Sequence, residues 1–251
     1  MLTDARYAWL RQLVAFAILL AVWEAAGHAG LLNPLYAPAP SRIAAALVDL
    51  FAGGDIWQHL EATFSAALGG LVLGIVVGVT LGIVAGLVPL VAELLGPVMT
   101  LLNAIPRVVM APLFVIWLGI GLGSKIALSF ILVAVMIFFT VFTGIRQVDR
   151  KLVERIITLG GGRWELIRYV YLPSVAAWIL GSLKVAVGFA FTGAVVGEFV
   201  ATTRGLGYLL SFAQSTYNSA LMLALVLLIM VVVLGIFALA GRLERYLLRW
   251  N

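Results

Sequence analysis

Between Thr63 and Val88 the chain reads TFSAALGGLVLGIVVGVTLGIVAGLV, without one ionisable side chain. A run of this kind is a membrane span. About 20 apolar residues cross the roughly 30 Å hydrocarbon core as a helix, and only a helix or a closed barrel pairs every backbone polar group there. The rest of the chain agrees: 64% of its residues are hydrophobic and only 11% are charged, against about 25% charged in a soluble domain. At one span per 20-odd residues plus short connections, 251 residues supply about six helices. The expectation is an all-α, polytopic membrane protein forming one transmembrane domain over residues 1–251.

The spans fall at about Arg11 to Leu31, Thr63 to Val88, Pro97 to Gly121, Ile126 to Ile145, Ser174 to Val200 and Ser219 to Gly241. With the N-terminus inside, the inner segments hold Arg6, Arg11, Arg146, Arg150, Lys151, Arg155, Arg163, Arg168, Arg242, Arg245 and Arg249, and the outer ones only Arg42, Lys125 and Arg204. That bias predicts both termini inside. The net charge of +5 therefore belongs to membrane edges rather than to a nucleic-acid surface. The basic start and small residues of AAGHAG also fit a cleaved signal peptide, but the length of the first span and Glu24 favour a retained helix.

Several function classes drop out. No polar region is long enough for a nucleotide-binding or catalytic domain of about a hundred residues, so any energy source lies in another chain. Cysteine is absent, which removes disulfides, thiolate metal sites and thiol nucleophiles. The stretch GIGLGSK, Gly119 to Lys125, lacks the spacing of a phosphate loop, and His28 and His59 have no metal-ligand spacing, so both histidines read as structural or interfacial. No catalytic residue and no metal site is expected.

Local patterns refine this picture. After the first span, Ser41 is the expected N-cap of a short helix lying on the outer surface, with Ile43, Leu47, Leu50 and Phe51 on one face. Gly70, Gly74, Gly78, Gly82 and Gly86 recur every fourth residue, a smooth groove for close approach of another backbone. Pro97, Pro106 and Pro112 interrupt the third span beside Asn103 and Arg107. The carbonyls that prolines free need protein or water, which places this helix near a translocation path. Arg107, about 9 Å from the inner edge of the core by helical rise, either snorkels or lines the path. Lys184, about 15 Å into the fifth span, suits a functional or interhelical role. Glu198 stands near the outer end of the same span, about 21 Å beyond Lys184 and out of its reach, and reads equally as interfacial or as a path residue. Thr192 between them completes the path candidates. RGLGY, Arg204 to Tyr208, is expected to form a tight outer loop.

The polar interruption ERIITLGGGRWELIRYVYLP, Glu154 to Pro173, predicts two short amphipathic helices. Leu152, Ile156 and Leu159 share a face opposite Glu154, Arg155 and Thr158. The glycines then end the helix before a second apolar face at Leu166, Ile167, Val170 and Tyr171. Periodicity alone leaves two readings open: a loop lying on lipid headgroups, or a docking knob for a cytoplasmic partner.

These residues resemble the inner-membrane permease subunits of binding-protein-dependent ABC importers. That family's signature is a cytoplasmic loop of E-A-A, three residues, G, nine residues, I, one residue, and L-P. Glu154, Gly160, Val170, Leu172 and Pro173 stand at the matching positions, with Arg155 and Ile156 in place of the alanines. AIPRVVMAPLFVIWLGIGLGSK, RWELIRYVYLP and GEFVATTRGLGYLL look most like the nitrate, taurine and alkanesulfonate branch. The resemblance implies a type I importer permease fold of six helices in a bacterial inner membrane, working beside a second copy of itself. A periplasmic binding protein would deliver substrate, and two cytoplasmic ATPase subunits would bind ATP and Mg, with no cofactor in this chain. Residues 145–173 would then be the coupling segment, with Glu154, Arg155, Thr158, Gly160, Gly161 and Arg163 at the ATPase. The solute is expected to be small and anionic, which Arg107 and Lys184 suit, with sulfonates, nitrate, bicarbonate, aromatic carboxylates and neutral pyrimidines all open. The alternative is an autonomous channel or secondary transporter, against which stand the loop spacing and the absence of an inverted repeat.

Overall fold

The computed structural model describes residues 8–247. Helices α1 (Ala8–His28), α2 (Pro40–Ala52), α3 (Ile56–Leu87), α4 (Pro89–Ala104), α5 (Arg107–Leu118) and α6 (Leu122–Arg146) are followed by a short α7 (Arg150–Thr158). Then come α8 (Arg163–Leu166), a π-helical turn (Ile167–Tyr171), α9 (Leu172–Val200), α10 (Leu206–Ser215) and α11 (Ser219–Leu247). Among the described residues five helices are long and apolar enough to cross a bilayer, or six if α4 and α5 form one broken span. Two compact units divide the chain, one holding α1 and α2 with residues 209–230, the other residues 58–208 and the chain from Val231.

The second span starts earlier than the apolar run alone implies, at Ile56, so His59 and Glu61 lie within α3. The third is two helices. Pro97 and Pro112 sit inside α4 and α5, and only Pro106 breaks the chain. A proline drives the residue before it out of the helical region. Ile105 is accordingly extended at φ −69°, ψ 127°, and the two helices turn through 106°.

The glycine stripe finds its partner inside the chain. A Cβ on Gly74 would lie 2.6 Å from Val133 Cβ, one on Gly78 2.7 Å from the Ala134 carbonyl, and one on Gly82 2.8 Å from Val141 Cβ. Gly86 meets Ile145 and Gly70 meets Ser129 in the same way. A four-residue ladder on α3 thus lies against a four-residue ladder on α6, the small-residue packing of membrane helices. On its other side α6 meets α9: a Cβ on Gly193 would come within 2.6 Å of Ser129 Cα, and Ser129 Oγ donates to the Ala190 carbonyl at 2.9 Å. Helix α6 is the central helix of its unit, with Leu128, Val133, Ile137, Phe138 and Val141 fully buried.

In the other unit, α2 corrects the expected cap. Ala39 is the N-cap and Pro40 the first helical residue, so Ser41 lies two positions too late to cap. The helix is capped from outside instead. The Glu24 carboxylate of α1 accepts from Ser41 N at 2.9 Å and Ser41 Oγ at 2.6 Å, and His28 Nε2 lies 2.7 Å from it. A carboxylate at a helix N-terminus meets unpaired N–H groups and the positive end of the dipole. Ile43 on the predicted apolar face is buried.

Candidate functional site

Helix α7 is built from strong local signals. Asp149 is its N-cap, its side chain accepting from Lys151 N at 2.9 Å. At the other end Gly160 N donates to the Ile157 carbonyl and Gly161 N to the Ile156 carbonyl, both at 2.9 Å. This paired pattern is a Schellman stop, which needs a left-handed residue after the last turn. Gly160 supplies it at φ +82°. Gly161 is required for space, since a Cβ there would lie 2.5 Å from Ile156 Cγ2. Glu154, Arg155 and Thr158 stand exposed along α7, where Glu154 accepts from Arg150 Nε at 3.0 Å and Thr158 Oγ1 donates to the Glu154 carbonyl at 2.8 Å. Arg163 is exposed at the start of α8. None of the nine residues of α7 is buried, and Ile157, Leu159 and Trp164 stand 56%, 77% and 64% exposed.

The second amphipathic helix departs from expectation. Rather than ending, α8 runs through the π turn into α9 as one continuous helix from Arg163 to Val200. The reason is Pro173 in the first turn of α9. Proline has no N–H and its ring crowds the carbonyl four residues back, and one widened turn relieves both. Leu172 N donates to the Ile167 carbonyl, five residues back.

Two cavities open along the α6–α9 side of the same unit. One, of about 330 Å³, is walled by Leu102, Asn103 and Ile105, by Met110, by α6 from Ile131 to Thr140, and by Phe189. The other, of about 730 Å³, is walled by Phe139, Thr140 and Thr143 of α6 and by Ala177, Trp178, Gly181, Ser182 and Val185 of α9. Trp178 lies flat on α6, so that a Cβ on Gly144 would come 2.8 Å from its indole. Of the described path residues, Asn103 alone lines one of these cavities. The side chain of Arg107 lies outside the described part of the structure. Lys184 is turned to α11, where a Cβ on Gly241 would lie 2.8 Å from Lys184 Cε. Thr192 is exposed on α9 and donates to the Gly188 carbonyl at 2.8 Å.

Glu198 corrects the sequence reading most. It is 1% exposed, away from either cavity, and accepts from Thr63 Oγ1 at 2.8 Å and Gly207 N at 3.0 Å. Thr63 Oγ1 in turn accepts from Leu206 N at 2.9 Å. His59 Nδ1 accepts from Gly205 N at 3.0 Å while its ring stacks on Tyr208, and Lys125 Nζ donates to the Arg204 carbonyl at 2.9 Å. A buried carboxylate is tolerated only when hydrogen-bonded; here it clamps the α9–α10 connection onto α3. RGLGY is therefore half loop and half helix, because α10 begins at Leu206.

The residues that sequence reasoning missed are Phe139, Thr140, Thr143, Trp178, Ser182 and Phe189 at the cavities, and Thr63 at the clamp. One signal was present: Thr140 and Thr143 on α6, and Trp178, Ser182 and Val185 on α9, fall at helical spacing on single faces.

Solved structures share this fold. A chain of the MetNI methionine ABC transporter in an inward-facing conformation superposes with a TM-score of 0.61 at 23% identity, covering 76% of this chain and 93% of that one. Residues 74–249 match the family described as binding-protein-dependent transport system inner membrane component, and the chain belongs to that family. It is 38% identical to the riboflavin transport system permease protein RibX of Chloroflexus aurantiacus over 248 residues, 98% of this chain and 92% of that protein. It is 30% identical to the taurine transport system permease protein TauC of Escherichia coli over 236 residues, 90% of this chain and 86% of that protein. The chain is thus a multi-pass permease subunit of an ABC importer in the inner membrane, a transport component rather than the ATPase.

Proposed function

We propose that this permease pairs with a second copy of itself and moves an organic solute inward by alternating access, driven by a separate ATPase dimer that binds ATP and Mg and seats α7 in a cleft. Both termini lie in the cytoplasm, as the arginine bias favours, and an extracytoplasmic binding protein delivers the solute. The observation that carries this reading is α7 itself: nine residues capped at both ends, none of them buried, followed by an exposed Trp164. A rigid helix that leaves its apolar side chains uncovered fits a protein partner. Glu154, Arg155 and Thr158 of α7, with Gly160 and Gly161 of its stop and Arg163 of α8, form the contact with the ATPase.

The solute we infer is a flat heteroaromatic molecule rather than a small inorganic anion. The walls of these two cavities offer Phe139, Phe189 and Trp178 and, among the described residues, no charged group, whereas Glu61, Lys125 and Arg204 line a separate cavity of about 430 Å³ at the clamp. Thr140 and Ser182 donate their hydroxyl hydrogens to the carbonyls of Met136 and Ile179, both at 3.0 Å, so their oxygens are left as acceptors for solute N–H groups. The relative named for riboflavin transport supports the same class, and Lys184, the cation expected to attract an anion, packs against α11 instead. Vesicles carrying the permease with its cognate ATPase and binding protein test this. ATP-dependent uptake of riboflavin but not taurine is expected, and uptake of taurine alone contradicts the solute class.

A further inference from the structure

The two cavities on the α6–α9 side share two wall residues, Phe139 and Thr140. Phe139 is held in place at that junction. Its ring meets Phe138 edge-on, with centroids 5.3 Å apart at 78°, and Phe138 is fully buried and stacked on Phe142 at 5.7 Å. The Arg146 guanidinium covers the Phe142 ring from 4.9 Å. Thr140 beside it has its hydroxyl hydrogen committed to the Met136 carbonyl at 3.0 Å. The junction therefore presents a braced aromatic ring and a single acceptor oxygen.

We propose that Phe139 and Thr140 form the constriction of the translocation path, separating a chamber at Asn103 from a chamber at Trp178, and that the Phe139 ring selects what passes. A hydrated ion must shed water against an apolar ring, whereas a flat solute slides along its face. This rests on the reading of the α6–α9 side as the path.

The chain contains no cysteine, so single introduced thiols report directly. Asn103→Cys places a thiol in one chamber and Ser182→Cys in the other. Each is exposed to a membrane-impermeant sulfonated methanethiosulfonate in right-side-out and in inverted vesicles holding the permease with its ATPase, without nucleotide. With Phe139 in place, each thiol should react roughly tenfold faster from one side of the membrane, the two thiols from opposite sides, as a dewetted constriction requires. Phe139→Ala should open Asn103→Cys to the side that reaches Ser182→Cys, and Phe139→Leu, nearer in volume, should do so to a smaller extent. Both thiols reacting equally from one side with Phe139 intact would overturn the constriction while leaving the path. Neither thiol reacting from either side would overturn the path reading and the constriction with it. Unchanged labelling in both Phe139 variants would also overturn the proposal.

Discussion

Thr63 and Glu198, 135 residues apart in sequence, are joined in the interior by a hydrogen bond of 2.8 Å from the threonine hydroxyl to the carboxylate. The same hydroxyl accepts from Leu206 N, so one side chain satisfies both a buried carboxylate and the first turn of α10. Removing it leaves the carboxylate with Gly207 N but without its hydroxyl donor, and takes from Leu206 N its hydroxyl acceptor.

Thr63→Val, close to isosteric, should therefore destabilise the protein by about 1–3 kcal/mol, the cost of an unpaired buried group. Thr63→Ser, which keeps the hydroxyl, should recover most of this. Thermal unfolding in detergent measures both. Equal melting of Thr63→Val and the parent would mean the clamp contributes nothing.

The glycine ladder yields a contrast within one protein. A Cβ at Gly78 would lie 2.7 Å from the Ala134 carbonyl and 2.9 Å from Ile137 Cβ, neither of which can rotate away. Gly78→Ala should lower stability by about 1–3 kcal/mol through overpacking. Gly96 in α4 has nothing within 4 Å of the corresponding position, so Gly96→Ala should be neutral or stabilising through helix propensity. Yields of monodisperse protein and melting temperatures of the two variants should diverge in opposite directions. Because α6 fills the α3 groove within the chain, the stripe does not supply the pairing surface for a second copy.

Lys184 tests the account of the path. Its stem lies over Gly241 of α11, so Lys184→Met should keep most of the packing and leave the KM for uptake nearly unchanged. A KM raised roughly tenfold, equivalent to about 1.4 kcal/mol of binding, would return Lys184 to the solute path.

Signals that act locally were legible in the sequence, and those set by tertiary packing were not. Apolar runs gave the spans because the bilayer demands about 20 residues. The glycines from Gly160 gave the end of α7 because a C-cap is made by near neighbours, whereas the Asp149 cap at its start went unread. The α3 groove was visible in its glycines, but nothing in α3 says that Ser129, Val133 and Val141 of α6 fill it. Glu198 read equally as an interfacial or a path residue, because a charge near the end of a span suits either. Its partners Thr63 and Gly207 come from a distant helix and the first turn of α10 and carry no mark of that pairing. Phe139 and Trp178 were hidden as apolar residues in apolar helices, and the π turn before Pro173 left no compositional trace.

In the proposed function, α7 and its glycine stop transmit ATP hydrolysis to the membrane helices. Gly160 has φ +82° and nothing within 4 Å, so its requirement is conformational rather than steric. Gly160→Val should cost about 1–2 kcal/mol at that backbone position and misdirect α7, whereas Gly160→Asn, tolerant of left-handed backbone, should be milder. Glu154→Lys removes the Arg150 pair and reverses charge on the exposed face of α7. The decisive measurement is co-purification of the ATPase together with ATP-dependent uptake in vesicles, for both Gly160→Val and Glu154→Lys, in protein shown to be inserted. The account predicts normal insertion with loss of ATPase retention or of uptake in both variants. Two inserted variants that hold the ATPase and transport at the parent rate would contradict it, and would leave α7 as a helix resting on lipid headgroups.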